Sequence, residues 1–177
     1  VMKKRMIVYP SERVTISVID DMNIVYNFEE KNSVIPISTI NFAIGLYSGN
    51  KLVAACCFKK EKRNWAIVDY VSLVHTRVKA GLSMCISEFS RIHRDAKHIS
   101  ASADRRWGNY FSSMFEEAGF VKAYKYGPKF LFTDLKVNHK PFDTEQMNNL
   151  TYLNKEKKKT YYRIYDAGYF MYELKFK

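Results

Sequence analysis

The sequence predicts an α/β (α+β) fold in which helices flank a mixed, mostly antiparallel sheet. Strand patterns and helix patterns alternate along the 177 residues, an order that is typical of sheets covered by helices. Glycine-containing turns separate the apolar runs, as they do between neighbouring strands. Hydrophobic residues make up 47% of the chain, which is enough to fill the core of one domain.

The first half of the chain gives four strand patterns. Valine and isoleucine alternate with polar residues from Val14 to Val18, which predicts a strand within an otherwise unassigned segment. Two apolar runs in FAIGLYSGNKLVAACCF flank the turn residues Ser48-Gly49-Asn50 and predict a hairpin. The run WAIVDYVSLV is almost continuously apolar, so we expect a central strand that is buried on both faces.

Two helix patterns follow. The first begins at Gly81, and its apolar face carries residues at helical spacing: Leu82, Cys85, Ile86, Phe89 and His93. HISASA then predicts a short strand, and a second amphipathic helix runs from Trp107 to Ala118. Gly119 follows at the position where a left-handed glycine commonly ends a helix.

The C-terminal part of the chain is rich in aromatic strand patterns. KFLFTD and TYYRIYDAGYFMYELKF predict strands, and Asp166-Ala167-Gly168 predicts the turn of an aromatic-rich β-hairpin. A polar connector that contains Lys157, Lys158 and Lys159 precedes this hairpin. We therefore expect an N-terminal segment of uncertain structure (1–40), a core (41–135), and a basic connector with the hairpin (136–177) that belongs to the same domain.

The charge of the chain predicts an acidic partner. The formal net charge is +11 and the pI is near 9.5, which favours nucleic acid, and DNA first, over a membrane surface. A basic face that is merely solvated is the alternative. Tyrosines near lysines would suit stacking on bases, among them Tyr124, Tyr126, Tyr161 and Tyr162.

Several classes of protein are not indicated. Cys56, Cys57 and Cys85 are odd in number and poorly spaced for disulfides or zinc, and the four histidines lack the spacing of a metal site. No apolar run reaches the roughly 20 residues of a membrane span, and the N-terminal residues lack the apolar core of a signal peptide. We expect a cytoplasmic protein without a metal, and the sequence leaves its oligomeric state open.

The segment from Arg77 to Ser83 is the first candidate site. A strand that ends in a loop with glycine at a helix N-terminus presents backbone N–H groups and a positive dipole to an anion such as a pyrophosphate. Arg77 and Lys79 add positive charge. An ordinary glycine at the start of a helix would give the same pattern, so that alternative stays open.

The second candidate site follows the HISASA strand. Asp104 falls at the carboxyl end of this strand, where open α/β sheets commonly bind ligands. Arg105 and Arg106 could contact phosphates, and Trp107 could stack on a base. The alternative is that Asp104 caps the next helix, Trp107 belongs to the core and the arginines are solvated.

The order of these motifs resembles the GNAT superfamily of acyl-CoA transferases. The strands, the pyrophosphate loop and the helices of that superfamily follow one another in the same order as five segments of this sequence: GLYSGNKLVAACCF, AIVDYVSLV, RVKAGLSMCISEF, HISASADRRW and MFEEAGF. More narrowly, ASADRRW, FEEAGF and YYRIYDAGYFMYEL are similar to phage Mom-type DNA-modification proteins and to GNAT-like domains associated with phage homing endonucleases. The resemblance covers about residues 40 to 177.

This resemblance implies roles for particular residues. Those that would hold acetyl-CoA, or a related acyl or nucleotide donor, are Lys79, Ala80, Gly81, Leu82 and Ser83. Those that would be catalytic are Arg77, Ser83 and Asp104. Those that we expect to bind nucleic acid are Arg105, Arg106, Trp107, Lys157, Lys158 and Lys159.

One departure from the GNAT pattern concerns the general acid. The residue four before Gly119 is usually a tyrosine that protonates the departing thiolate, and here it is Phe115. Tyr110 is the hydroxyl that we expect to replace it. Two functions stay open: a Mom-like, DNA base-modifying transferase in the cytoplasm of a phage's host, and a catalytically inactive module that binds DNA or a host protein.

Overall fold

The fold is given by a computed structural model. It describes residues 6–33, 39–62, 64–104, 108–128, 130–133, 162–165 and 168–176, with the backbone alone for Asp104 and for 108–112, 130–133 and 163–165. The strands are β1 (Ile7–Tyr9), β2 (Thr15–Val18), β3 (Phe42–Ser48), β4 (Lys51–Glu61), β5 (Asn64–Ser72), β6 (Thr76–Val78), β7 (His98–Asp104), β8 (Val121–Tyr126), β9 (Phe130–Thr133), β10 (Tyr162–Tyr165) and β11 (Tyr169–Lys175). The helices are α1 (Met22–Asn32), α2 (Gly81–Ile92) and α3 (Gly108–Glu117).

The main sheet contains seven strands in the order β2-β3-β4-β5-β7-β11-β8. Neighbouring strands are antiparallel except for β5 and β7, which run parallel. The predicted mixed, mostly antiparallel sheet flanked by helices is therefore confirmed. The β3–β4 hairpin is also as predicted, with Gly49 at a φ of 58° in its turn, and β5 occupies the centre of the sheet.

Residues 6–33 form more structure than the single strand that the sequence predicts. β2 is an edge strand of the main sheet, and β1 pairs in parallel with β6. α1 begins at Met22 because the Asp21 side chain accepts a 2.9 Å hydrogen bond from the Asn23 N–H, which makes Asp21 the N-cap. Its buried apolar residues are only Val25 and Phe28, too few for periodicity to reveal the helix.

Helices cover the two faces of the sheet over separate groups of core side chains. α2 and α3 pack on one face, where the rings of Phe58 and Phe89 stack with centroids 4.5 Å apart. α1 packs on the other face over β3, β4 and β5, with Val25 and Phe28 against the sheet. We call these the α2 face and the α1 face. Burial of this apolar surface is the dominant stabilising contribution to the fold.

The two C-terminal strands do not form a hairpin with each other, which corrects the prediction. β11 lies between β7 and β8 in the main sheet, whereas β10 pairs with β9. The β9–β10 pair continues the β8–β11 pair in the same register, because Tyr165 lies opposite Phe130 and Tyr169 lies opposite Tyr126. Gly168 has a φ of 72°, and a Cβ atom there would overlap the Tyr126 carbonyl. The glycine that suggests a tight turn instead allows two paired segments to approach closely.

Candidate active site

The two parallel strands of the sheet separate toward their carboxyl ends. β5 and β7 pair only where Trp65–Ile67 lies beside Ile99–Ala101. β5 then continues to Ser72 and β7 to Asp104 without pairing to each other, so a gap opens in the middle of the sheet. Ligands of open α/β sheets bind where strands diverge in this way.

A small cleft lies at this end of β5. It is lined by Tyr70 and Ser72 from β5, by the loop before α2, by the first turn of α2, and by Ser113, Met114 and Glu117 from α3. Because Tyr70 packs against the core on the α2 face, the cleft belongs to that face of the sheet. The cleft and the gap between β5 and β7 therefore lie next to each other.

The N-terminus of α2 forms one wall of the cleft. Ala80, the N-cap residue, has a left-handed conformation with a φ of 53°, and its methyl side chain cannot accept a hydrogen bond. The backbone N–H groups of Gly81, Leu82 and Ser83 therefore donate no hydrogen bond to a capping side chain. These donors and the positive end of the helix dipole suit an anion.

Gly81 brings Tyr70 close to this helix terminus. A Cβ atom at Gly81 would overlap the Tyr70 hydroxyl and would lie 3.0 Å from both Leu46 Cδ1 and Val78 Cβ. Gly81 is itself buried. The missing side chain therefore makes room for neighbouring protein groups, and it fixes the Tyr70 phenol at the start of α2, beside the cleft.

Two side-chain interactions join the α2 end of the cleft to α3. Arg77 Nη2 lies 4.0 Å from Glu117 Oε2, and both side chains are about half exposed. Ser83 Oγ donates a 3.3 Å hydrogen bond to the Glu117 carbonyl. The Glu117 carboxylate partly neutralises Arg77, so an anion in the cleft would compete with Glu117 for this cation.

A buried acidic cluster lies across the sheet, on the α1 face. Asp69 of β5 accepts a 2.7 Å hydrogen bond from Ser33 Oγ, and burial raises the pKa of its carboxyl although that hydrogen bond opposes the shift. Glu29 of α1 is 5% exposed, and burial raises the pKa of its carboxyl to about 7. A hydrogen bond with Cys57 lowers the pKa of Glu29, whereas the charge of Asp69 raises it further.

Asp69 and Tyr70 occupy opposite sides of the gap. Asp69 lies two residues beyond Ile67, the last residue of β5 that pairs with β7. Successive residues of a strand point to opposite faces, and here Tyr70 lies on the α2 face and Asp69 on the α1 face. A carboxylate and a phenol therefore border the same opening in the sheet.

Five of the predicted donor-site or catalytic residues meet at the cleft. These are Arg77, Ala80, Gly81, Leu82 and Ser83. Lys79 is exposed and is not part of the cleft lining. Its backbone N–H instead donates a 3.0 Å hydrogen bond to the Tyr9 carbonyl, which ties the loop to β1.

The remaining predicted site residues are described in part or not at all. Asp104 is the last residue of β7, opposite Tyr169 in the sheet, and Tyr110 lies in α3, but only their backbone is described. Six predicted nucleic-acid contacts lie outside the described residues: Arg105, Arg106, Trp107, Lys157, Lys158 and Lys159. Their roles stay predictions.

Phe115 belongs to the core rather than to the cleft. It is 3% exposed, and its ring centroid lies 5.4 Å from that of Phe120 and 5.0 Å from that of Tyr172. A hydroxyl that protonates a thiolate in the cleft must therefore come from another residue. Tyr70 supplies a phenol at the cleft wall.

Sequence reasoning missed Tyr70, Asp69 and Glu29. The apolar run WAIVDYVSLV predicts a buried strand, and its two polar groups are easily overlooked in that pattern. A carboxylate inside a central strand nevertheless indicates that the group has a function or a hydrogen-bonding partner, because burying an isolated charge is strongly unfavourable. Glu29 carries no comparable signal, since the pattern of α1 does not predict a helix.

Metal sites and membrane helices are absent from the described part of the chain. Within it, no three His, Cys, Asp or Glu residues lie close enough together to hold a metal ion. No helix there is both long and apolar enough to cross a membrane. Cys56, Cys57 and Cys85 are buried free thiols. His93 packs against Phe42 with ring centroids 4.6 Å apart, which fits a structural residue.

Solved structures of GNAT acetyltransferases share this fold. An acetyltransferase from Bacillus subtilis in complex with CoA matches with a TM-score of 0.55 and 12% identity, over 93% of this chain and 99% of that chain. The ribosomal-protein-alanine N-acetyltransferase of Escherichia coli matches with a TM-score of 0.55 and 12% identity, over 92% and 93%. A GNAT family acetyltransferase from Elizabethkingia anophelis with acetyl-CoA bound matches with a TM-score of 0.54 and 5% identity, over 93% of this chain and 99% of that chain.

No family model and no curated protein matches the sequence. The agreement with the solved structures nevertheless extends over nearly the whole of both chains. The chain therefore has the GNAT acetyltransferase fold. Identities of this size establish the fold alone, so the reaction has to be argued from the residues of the cleft.

Proposed function

We propose that this chain transfers an acyl group from acetyl-CoA, or a related donor, to an amino group carried by nucleic acid. The observation that carries the proposal is the cleft at the start of α2, where N–H groups without a capping side chain lie beside the gap in the sheet. A pyrophosphate suits this wall because it is an anion that accepts several hydrogen bonds. The GNAT fold supports a CoA-type donor.

The donor's phosphates would be held by the first turn of α2 and by nearby cations. Gly81, Leu82 and Ser83 contribute backbone N–H groups at the cleft. Arg77 lines the cleft and would exchange Glu117 for a phosphate, while the exposed Lys79 adds positive charge at the same loop. When bound, the donor supplies a thioester carbonyl carbon to an attacking amine.

Proton transfer is the chemistry that the chain's own side chains would perform. A bond forms between the amine nitrogen and the carbonyl carbon and the carbon–sulfur bond breaks, so one proton leaves the amine and one reaches the thiolate. Asp69 would accept the first proton, and its raised pKa brings it closer to that of an effective base. Tyr70 would donate the second, in place of Phe115. Asp104, at the end of β7, is the other candidate base.

The acceptor that we propose is the exocyclic amino group of a DNA base. The net charge of +11 supports a polyanionic partner, and the resemblance to Mom-type proteins suggests base modification by a phage protein in the cytoplasm of its host. Because a paired base is inaccessible, it would have to be flipped out or presented in a single strand. Arg105, Arg106, Trp107 and the lysine run of 157–159 would then hold the neighbouring backbone.

A catalytically inactive module that binds DNA or a host protein is the second candidate. One observation favours it, because Phe115 is buried where GNAT enzymes usually carry the tyrosine acid. Under that alternative the cleft could still bind a donor, but no group would be transferred.

Mass spectrometry of nucleosides distinguishes the two candidates. Single-stranded DNA is incubated with the protein and isotopically labelled acetyl-CoA, digested, and searched for labelled nucleosides. We expect an acylated base with the wild type and about 100-fold less with Tyr70→Phe, the typical effect of losing a general acid. Binding of both ligands without any labelled nucleoside would instead establish the inactive module.

A further inference from the structure

Strand β8 is an exposed edge of the main sheet. In the described part of the chain it has a partner only on the side of β11. All six of its residues are exposed, with Val121 at 70% and Tyr124 at 59%. Edge strands with exposed apolar side chains invite association, and natural proteins usually cover or break them. A strand of this kind therefore indicates a binding surface.

The tyrosines of this strand lie on the α1 face of the sheet. Phe170 of β11 packs against the core on the α2 face, so Tyr169 points the opposite way. Tyr126 lies opposite Tyr169, and the two rings stack with centroids 4.5 Å apart and planes inclined by 20°. Tyr124 follows on the same side, 6.5 Å from Tyr126. We call Tyr124, Tyr126 and Tyr169 the tyrosine face.

The lysines of β8 lie on the other side of the strand. Lys125 is opposite Phe170 in the ladder, and Lys122 Nζ lies 3.4 Å from the centroid of the Phe170 ring. Among the described residues, neither lysine forms a salt bridge. The strand thus carries aromatic rings on one side and cations on the other, with the backbone groups of a sheet edge between them.

We propose that β8 and the tyrosine face bind single-stranded nucleic acid, with unpaired bases on the tyrosines and phosphates along the lysines and the strand edge. Bases stack readily on exposed aromatic rings, whereas those of a duplex already stack on one another. Phosphates accept hydrogen bonds from lysine and from backbone N–H groups. The inference rests on the nucleic-acid partner of the proposed function but not on acyl transfer.

The tyrosine face lies one strand away from the gap between β5 and β7. Tyr126, Tyr169 and Asp104 form one row across β8, β11 and β7. Neighbouring strands lie about 4.8 Å apart, so a base on Tyr169 is one strand from β7, which borders the gap. A bound single strand therefore reaches the gap from the α1 face, whereas the cleft with Tyr70 lies on the α2 face.

Fluorescence anisotropy with a labelled oligothymidylate tests this surface. We expect Tyr124→Ala and Tyr126→Ala each to weaken binding about tenfold, in line with the loss of one stacked base. Tyr124→Phe should bind as the wild type does because it keeps the ring. Lys125→Ala should make the salt dependence shallower, by about 0.7 in the slope of log K against log salt.

A tyrosine elsewhere on the surface provides the control. Tyr26 of α1 is 41% exposed, and Tyr26→Ala should leave binding unchanged. Equal losses in Tyr26→Ala and Tyr124→Ala, or tighter binding of a duplex of the same sequence, would overturn the proposal. Melting temperatures of all variants show whether any loss comes from unfolding.

Donor binding separates this inference from the proposed function. A thermal shift with acetyl-CoA is measured on the same preparations. A protein that binds acetyl-CoA but no oligothymidylate would refute the tyrosine face and leave a donor site intact. Sedimentation of the wild type then tests whether a second copy of this chain occupies the β8 edge instead. Dimers that form with rising concentration and that Tyr124→Ala abolishes would make β8 a self-association surface and overturn the proposal.

Discussion

The Tyr70 hydroxyl lies so close to Gly81 that a Cβ atom at Gly81 would overlap it. This contact fixes the end of β5 against the first turn of α2, the two elements that meet at the cleft. The space where a side chain at Gly81 would lie is occupied by neighbouring side chains of the protein. Gly81 would therefore support the proposed donor site indirectly, by setting the distance between a phenol and a helix N-terminus.

Gly81→Ala should destabilise the protein by about 1 to 3 kcal/mol, the usual cost of inserting a methyl group into packed surroundings. Tyr70→Phe removes the overlapping oxygen, so Gly81→Ala should cost less in a Tyr70→Phe background. Urea denaturation of the two single variants and the double variant measures this coupling.

A glycine in open space is the matched control for this substitution. A Cβ atom at Gly127 would meet nothing within 4 Å, so Gly127→Ala should leave the free energy of unfolding nearly unchanged. Strictly additive effects of Gly81→Ala and Tyr70→Phe would contradict the contact between the two residues.

The Arg77–Glu117 pair predicts how the proposed donor site responds to a change of charge. Glu117→Gln releases Arg77 for a phosphate, so we expect CoA to bind more tightly, by at most about fivefold, because an exposed ion pair contributes less than about 1 kcal/mol. Arg77→Ala should weaken binding. Calorimetric titration with CoA measures both, and weaker binding by Glu117→Gln would show that the carboxylate contributes to the site.

The raised pKa of Glu29 predicts that the stability of the protein depends on pH. Its pKa is about 7 in the folded protein, against 4.5 for an ordinary glutamate, because the carboxyl is buried. Between these values the unfolded chain ionises while the folded protein keeps its proton, so the free energy of unfolding falls as pH rises from about 4.5 to 7. The loss reaches about 3 kcal/mol above pH 7 and is absent below 4.5.

Substitution isolates this contribution from that of other groups. Relative to the wild type, Glu29→Gln should gain stability as the pH rises from 5 to about 8, measured by urea denaturation. Glu30→Gln, at an exposed position of the same helix, should follow the wild type. Parallel pH profiles for the wild type and Glu29→Gln would mean that Glu29 ionises normally in the folded protein.

The two candidate bases can be told apart by amide substitution. Asn at position 69 can still accept the hydrogen bond from Ser33, and Asn at position 104 has the same size as the Asp that ends β7. Asp69→Asn should therefore keep the melting temperature but lower the transfer rate by about 100-fold. If Asp104→Asn loses activity while Asp69→Asn keeps it, Asp104 is the base.

The sheet and its helices could be predicted because their patterns are local. The turn at Gly49, the apolar face of α2 and the left-handed Gly119, at a φ of 87°, all appear in the sequence and in the structure. Strand pairing is not local. The DAG motif suggests a hairpin, but the partners of β10 and β11 are decided by β7, β8 and β9, which lie far away in the sequence.

The candidate site could be predicted only where backbone geometry dominates. The loop before α2 is identifiable because a glycine at a helix start is a recognisable signal. The approach of Tyr70 to Gly81 and of Glu29 to Asp69 depends on how strands and helices pack. Such contacts produce no periodic pattern in the sequence, so the groups proposed here to transfer protons can be identified only from the fold.

Amide chemical shifts during a titration with CoA test whether the N-terminus of α2 binds the donor. We predict that the N–H resonances of Gly81, Leu82 and Ser83 shift progressively and saturate, because these groups would bind the donor's pyrophosphate. Pantetheine, which lacks phosphates, should leave them nearly unchanged. Saturable shifts confined to another part of the chain, or no shifts with CoA at millimolar concentration, would contradict a donor site at the N-terminus of α2.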